Sequence, residues 1–209
     1  MRRNVAFASL ILAAAVALPS QASAQAAWDA PMLLAPGAPA GFGVHLIDPH
    51  PGNGLGILGT WRADPAPVGL GFRLGLAEGG VDGVAVIGGV DISGGIFRSD
   101  TELPIDVMWF LGAGAGIDDD VIASFPAGVS AGVSFEGDQV QFRPYVAPRI
   151  VLDAFFGDDV DDGLDLGIAV ELGMDLSFGK PWSIRAAGSF GDRDAVSIGM
   201  VFPTSLTRN

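Results

Sequence analysis

Residues Leu164–Phe178 read LDLGIAVELGMDLSF, a stretch in which every second residue is large and apolar. The apolar positions are Leu164, Leu166, Ile168, Val170, Leu172, Met174, Leu176 and Phe178, and the positions between them are Asp165, Gly167, Ala169, Glu171, Gly173, Asp175 and Ser177. Because a β-strand sends successive side chains to opposite faces, we predict one strand with an apolar face and a small or acidic face. Most strands in soluble domains have only about 3–10 residues, whereas a strand of this length and pattern can cross a lipid bilayer at a tilt.

The same alternation recurs along the chain and predicts ten strands. The candidates are residues 41–47, 54–62, 67–77, 82–92, 103–116, 126–136, 139–153, 163–178, 181–190 and 195–203. Residues 136–138 and 179–181 are typical of tight hairpin turns. The predicted fold class is therefore all-β: an antiparallel up-and-down transmembrane β-barrel of ten strands, or of eight if weak neighbouring strands merge.

The first residues predict export of the chain. A short basic start, Met1–Asn4, precedes the apolar run Val5–Leu18 and the small residues Ala22–Ala24. This pattern predicts a cleaved secretory signal peptide over residues 1–24, since the apolar run is short for a membrane anchor. The rest of the chain divides into an Ala/Pro-rich extension over residues 25–40, interpreted as loose, a β-barrel over residues 41–203 and a tail over residues 204–209.

Composition narrows the class of protein. The chain of 209 residues carries 11 Lys and Arg against 24 Asp and Glu, a formal net charge of −13. Binding to nucleic acid is not expected, because it needs clustered basic side chains. The sequence has no cysteine, so neither disulfides nor a thiol site is available. Charged residues make up 17%, below the roughly 25% of soluble domains.

The chain resembles small bacterial outer-membrane β-barrel proteins over residues 41–203. The signal peptide, the alternation and the final strand Ala195–Phe202 carry the resemblance, because that strand alternates and ends on an aromatic residue. The seven residues after Phe202 depart from such an ending. The resemblance implies a Gram-negative outer membrane as the location, with its lipid as a partner. It also implies recognition of the final strand by the barrel-assembly machinery during biogenesis.

A secreted soluble β-sandwich is the competing fold, since its sheets would also alternate. Its solvent face should be rich in Thr, Lys, Glu and Gln, whereas here that face is mostly Gly, Ala and Ser, and Lys180 is the sole lysine. Small residues suit the inside of a narrow barrel, where glycines relieve crowding and help the sheet to curve. This difference favours the barrel.

Loop lengths and aromatic residues suggest an orientation. With a periplasmic N-terminus, the turns at residues 63–66, 136–138 and 179–181 lie in the periplasm, and longer acidic loops at residues 117–125 and 154–163 lie outside. The connection near residues 93–102 is long for a periplasmic turn in this scheme. An aromatic girdle at the periplasmic interface is predicted. Its members are Trp61, Phe135, Phe142, Phe178, Trp182 and Phe202.

Charged residues on the small faces of the strands are predicted to point into the lumen, because Arg or Lys facing lipid at the midplane costs about 2–4 kcal/mol. The predicted ion-pair network comprises Arg143, Arg149, Asp165, Glu171, Asp175 and Arg185. Glu171 is expected to pair with Arg185. The network is interpreted as structural filling of a narrow barrel, with a selectivity lining or a catalytic cluster as the alternatives.

Other chemistry is weakly indicated. His45 and His50 are the only histidines, and neither lies in a catalytic motif, so no catalytic residue is proposed. The acidic loops could bind cations through Asp118, Asp119, Asp120, Asp158, Asp159, Asp161 and Asp162. Val160 stands where a calcium loop needs a carboxylate, so no metal site is assigned. No cofactor is expected, because Gly112–Gly116 lacks the Lys-Ser/Thr of a phosphate-binding loop.

The sequence favours a structural or surface-interaction barrel with a filled lumen. A narrow channel or transporter for small solutes is the first alternative, and a barrel-embedded hydrolase is the second. Eight strands leave an interior just filled by side chains, while open channels need about sixteen, so ten strands favour a filled lumen. The sequence therefore indicates the cellular location of the protein more clearly than it indicates the partners.

Overall fold

The computed structural model describes residues 26–49, 54–63, 68–79, 83–98, 104–157 and 163–204. These residues form an all-β protein. Its strands are β1 (Gly41–Asp48), β2 (Gly56–Arg62), β3 (Gly69–Glu78), β4 (Val84–Phe97), β5 (Asp106–Ile117), β6 (Val121–Gly132), β7 (Phe135–Glu136), β8 (Gln141–Phe156), β9 (Gly163–Lys180), β10 (Trp182–Gly191) and β11 (Ala195–Pro203). The proposed signal peptide, residues 1–24, and residues 205–209 of the tail lie outside the described residues.

The strands close into a ring with up-and-down connectivity. Neighbours in sequence pair antiparallel from β1 to β6 and from β8 to β11, and the pairs β1–β11 and β6–β8 complete the ring. The two-residue strand β7 pairs only with β8 and does not take part in the ring. The predicted ten-strand antiparallel barrel is confirmed, and neither the eight-strand nor the β-sandwich alternative is observed. No helix in the described ranges is long and apolar enough to cross a membrane.

The two faces of the barrel follow the sequence alternation. In β3 the side chains alternate between buried and exposed along the whole strand, with Leu70, Phe72, Leu74 and Leu76 exposed on the outer face and Gly71, Arg73, Gly75 and Ala77 buried on the inner face. β1 repeats the pattern, since Val44 and Leu46 point outward while His45 and Ile47 are buried. The outer surface is therefore apolar, and the lumen holds the small and polar residues.

Two connections differ from the sequence expectation. The loop predicted at residues 117–125 is a tight turn at residues 118–120, in which the Asp118 N–H donates to the Asp120 carbonyl at 3.0 Å. The sequence suggested that this strand begins at Pro126. In the structure β6 begins at Val121, because residues 121–126 all pair with β8. β4 extends to Phe97 and thereby absorbs much of the connection predicted at residues 93–102.

The barrel has two distinguishable ends. We call the end where β1 begins and β11 ends the terminal end, and the opposite end, with turns at residues 118–120 and 192–194, the distal end. β6 and β8 are joined at the terminal end by residues 133–140, which contain β7, whereas the distal end has tight turns at residues 118–120 and 192–194. The expectation that the short turns lie at the terminal end is therefore wrong for these connections.

The N-terminal segment, residues 26–40, lies inside the barrel and is hereafter the plug. It runs from the start of β1 at the terminal end through the lumen, so that Ala26 approaches Gly116 near the distal end. Trp28, Met32, Leu33 and Leu34 are at most 3% exposed and form the hydrophobic core with inward-facing side chains of the strands. The interpretation of this segment as loose is wrong: its apolar residues have an interior to occupy.

Candidate functional site

Buried polar contacts join the lumen to its plug. The Trp28 ring packs against inward-facing glycines of β4 and β5. A Cβ atom at Gly112 or Gly114 would come within 2.7 or 2.6 Å of its ring, and one at Gly89 would also collide with it. The glycine-rich stretch of β5 thus makes room for an indole.

Trp28 is also fixed by polar contacts. Its Nε1–H donates to the Ser124 carbonyl at 3.0 Å. The Arg73 guanidinium lies 5.3 Å from the centre of the ring, within the range of a cation–π interaction. The first contact needs a ring N–H and the second needs an aromatic face, and Trp supplies both.

Glu171 binds the backbone of the plug. Its carboxylate accepts the N–H groups of Met32 at 2.5 Å and Leu33 at 2.8 Å, together with the hydroxyl of Tyr145 at 2.7 Å. Leu33 has φ of +58°, a left-handed conformation that is uncommon for a non-glycine residue. Alternation of right- and left-handed residues turns successive N–H groups toward one anion, which is how backbone nests bind anions.

The carbonyl groups of the plug are bound by arginines. Arg73 donates to the carbonyls of Pro31 at 3.0 Å and Met32 at 2.6 Å. Arg185 donates to the Leu33 carbonyl at 3.2 Å, and the hydroxyl of Ser130 donates to the next carbonyl, that of Leu34, at 2.6 Å. The backbone of the plug therefore finds partners on several strands of the barrel.

Asp29 anchors the part of the plug nearest the distal end. Its carboxylate pairs with Arg149 Nε at 3.2 Å and Arg193 Nε at 3.1 Å, and Arg193 also contacts both oxygens of Asp153. Burial alone would lower the pKa of the Arg193 guanidinium, but the carboxylates of Asp29 and Asp153 outweigh it and raise that pKa above its usual value. Arg193 thus stays charged in the β10–β11 turn and holds the plug to β8.

A second charged cluster lies nearer the terminal end. Asp175 is fully buried and pairs with Arg143 at 3.1 Å and Arg185 at 2.9 Å. Ser183 also donates to it at 3.1 Å. A further pair joins Arg62 to Asp91 at 2.7 Å, and Arg73 lies 3.6 Å from the other oxygen of Asp91.

The structure brings together most of the sequence-predicted lumenal residues, with different partners. Glu171 lies 3.6 Å from Arg149, not beside Arg185, so the specific pairing expected from the sequence is wrong. Arg185 instead pairs with Asp175, which lies opposite it across the β9–β10 ladder. Asp165 is exposed near the distal end of β9, where it accepts the Leu166 N–H, and it joins none of the described ion pairs.

The sequence reasoning missed several members of the network. They are Asp29, Arg62, Arg73, Asp91, Asp153 and Arg193. Arg73 and Asp91 could have been found, because each stands on the small face of an alternating strand. Asp29 gave no comparable signal, since it lies in a segment without periodicity.

The sequence matches no known protein-family model, and no curated protein is significantly similar to it.

The predicted girdle residues lie at the terminal end. Trp61 contacts Phe72 with ring centres 5.6 Å apart, Phe135 contacts Phe142 at 6.1 Å, and Phe178 contacts Trp182 at 5.4 Å. Phe202 lies opposite Phe42 in the β1–β11 ladder and is exposed on the outer face. The aromatic rings therefore form clusters near one edge of the barrel exterior.

The remaining predicted residues show no assembled chemistry. Asp118, Asp119 and Asp120 occupy the distal turn between β5 and β6, whereas residues 158–162 lie outside the described residues. Within the described ranges, no group of three or more potential ligands could hold a metal ion. His45 is buried on the inner face with Nε2 3.3 Å from the Thr60 hydroxyl oxygen, and His50 is not among the described residues.

Water-sized space remains in the lumen beside the plug. A cavity of about 340 Å³ lies near the terminal end, lined by residues 33–40 of the plug and by Arg62, Arg98 and Arg185. Deeper in the lumen, the buried Trp28, Met32 and Glu171 side chains occupy the interior. The arrangement binds the turn-containing backbone of the plug, and the buried side chains of the plug occupy the interior.

Proposed function

We propose that the protein is an outer-membrane β-barrel with a structural or surface-interaction role and a lumen closed by its own plug. The observation that carries the proposal is the apolar outer face, on which Leu164 is 74% exposed and Leu74 is 67% exposed. Soluble monomers rarely expose contiguous apolar patches larger than a few hundred Å². Lipid is the environment that makes such a surface favourable around a closed barrel.

The aromatic clusters and the charges suggest how the barrel sits. Aromatic rings prefer the membrane interface, which supports placing the terminal end at one membrane boundary, and with a periplasmic N-terminus this is the periplasmic boundary. The acidic distal end, with Asp118–Asp120, then faces outward and is the surface available to partners. The final strand β11, in which aromatic Phe202 precedes the last residue Pro203, is the element that the assembly machinery would recognise during insertion.

Cysteine labelling tests this orientation, because the chain has no native cysteine. Asp119 is exposed in the distal turn, and Glu136 is exposed in β7 at the terminal end. We expect Asp119→Cys to react with a membrane-impermeant maleimide in intact cells, and Glu136→Cys to react only after permeabilisation. The reverse pattern would mean that the proposed orientation is wrong. If neither position is labelled before cell lysis, the protein does not reach the cell surface and the proposed location is wrong.

A narrow channel remains the second candidate, favoured by the arginine-lined lumen. Residues 26–40 occupy that lumen, and ten strands leave little width beyond them. Planar-bilayer recording of the full-length protein separates the two roles. Silent membranes containing folded protein agree with the structural role, whereas steady conductance agrees with the channel.

A further inference from the structure

The lumen recognises the plug mainly through its backbone. Glu171 accepts two consecutive N–H groups, while Arg73 and Arg185 donate to the carbonyls of residues 31–33. Arg149 donates to the Asp29 carbonyl at 3.1 Å. Contacts of this kind depend on the path of the peptide chain more than on its side chains. That path has turns at residues 27–30 and 35–38 and a left-handed residue, Leu33.

The charged groups that make these contacts are also held by residues of the barrel strands. Arg185 is held by Asp175, and Arg73 lies 3.6 Å from Asp91. Tyr145 donates to the same Glu171 carboxylate that binds the plug. Because these partners belong to the strands, the donors and acceptors for a peptide backbone are carried by the barrel itself.

Two side chains of the plug add selectivity. Asp29 pairs with Arg149 and Arg193, so a carboxylate is matched by two guanidinium groups. Trp28 fills the space between the inward glycines and lies beside Arg73. A matching ligand therefore carries an aromatic residue and a carboxylate, followed by an apolar stretch with two free N–H groups.

We propose that the lumen is a peptide-binding site, and that the plug is its internal ligand. The site binds a separate peptide of the same chemistry, with an aromatic–acidic pair followed by an apolar run, in the same turn-containing path when the plug is displaced. A tethered segment has an effective concentration in the millimolar range, so the plug excludes a free peptide from the unmodified protein. Weakening the plug without altering the strands should expose the site.

The test uses the full-length chain folded in detergent micelles and a fluorescent synthetic peptide of residues 26–40. Asp29→Arg places a positive charge beside Arg149 and Arg193 and should displace the plug, and Trp28→Ala is a second displacing variant that adds no charge. Ala30→Cys, introduced into each, reports displacement through maleimide labelling, since Ala30 is 4% exposed. We expect saturable peptide binding to both variants and at least tenfold weaker binding to the protein with an intact plug.

Backbone recognition is tested with modified peptides. N-methylation at Met32 and Leu33 removes both N–H groups that bind Glu171 but keeps every side chain, and it should weaken binding about tenfold or more. N-methylation at Ala35 is the matched control, because that N–H donates no hydrogen bond to another of the described residues. On the barrel, Arg73→Gln should weaken binding, whereas Arg143→Gln, which contacts Asp175, Ser177 and Gln141 rather than the plug, should not.

The outcomes are decisive either way. Heat-modifiable gel mobility first identifies folded variants. Persistent protection of residue 30 in both folded variants, absence of saturable binding, or equal binding of the N-methylated peptides would overturn the proposal. Because the measurement is made in micelles, its failure is distinguishable from failure of the outer-membrane proposal, which concerns insertion into bilayers.

Discussion

Glu171→Ala is expected to lower the free energy of unfolding by about 3–5 kcal/mol, because it removes one partner of a buried charge network. Glu171 is fully buried and binds Met32 N–H, Leu33 N–H and Tyr145 hydroxyl, and it lies 3.6 Å from Arg149. Its loss leaves those donors without an acceptor and the guanidinium without its carboxylate. The midpoint of urea-induced unfolding from lipid vesicles measures the effect.

Asp165→Ala is the matched control for this change. Asp165 lies on the same strand but is exposed, and such surface substitutions usually change stability by less than about 0.5 kcal/mol. Glu171→Gln keeps the shape and one carbonyl acceptor, so it should lie between alanine and the unmodified protein. Equal midpoints for Glu171→Ala and Asp165→Ala would contradict the network described above.

Leu172→Arg is expected to destabilise the membrane-inserted barrel by about 2–4 kcal/mol. Leu172 is exposed on the outer face near the middle of β9, opposite Val146 and Gly188. An arginine there must leave water for the hydrocarbon region. The same substitution at Phe178, near the terminal end, should cost only about 0–1 kcal/mol because the charge reaches the interface.

The inner face gives a third comparison for the same measurement. Ala169 is buried inside the lumen, so Ala169→Arg is expected to act through crowding in the interior. Its effect should not depend on bilayer thickness, whereas the effect of Leu172→Arg should. Equal costs for Leu172→Arg and Phe178→Arg in bilayers would contradict the placement of β9 across the membrane.

Side-chain alternation was sufficient to predict the strands. In β9, the period of two is unbroken from Leu164 to Phe178, and burial in the structure follows it through Gly167, Ala169, Glu171 and Asp175. Strand ends were harder to place. The acidic turn and Pro126 suggested a loop over residues 117–125. The structure instead pairs residues 121–126 with β8. A strand can accommodate a proline when it gives up one N–H hydrogen bond.

Partners within the lumen could not be derived from the sequence. Alternation indicates which charged residues point inward, but pairing depends on the register between strands. The β9–β10 register places Arg185 opposite Asp175 and Ser189 opposite Glu171. Alternation alone does not fix this register, which is why Glu171 was assigned the wrong arginine.

The plug was missed for a different physical reason. Residues 26–40 are rich in alanine and proline and have no helical or strand period, so pattern analysis finds nothing in them. Their order comes from long-range contacts: Trp28 with the glycines of β4 and β5, and Asp29 with Arg149 and Arg193. The one available signal was an aromatic–acidic pair and an apolar triplet, Met32–Leu34, inside an otherwise small-residue segment.

Refolding of the unmodified full-length protein tests the central claim, that the apolar outer face is built for lipid. Urea-unfolded protein is diluted into phosphatidylcholine vesicles or into plain buffer, and folding is followed by heat-modifiable gel mobility and sedimentation. In the vesicle sample we expect a compact, protease-resistant species that stays with the vesicles when they float in a density gradient. In plain buffer we expect aggregation. A soluble, folded monomer in buffer that does not associate with vesicles would contradict the membrane assignment and the proposed location.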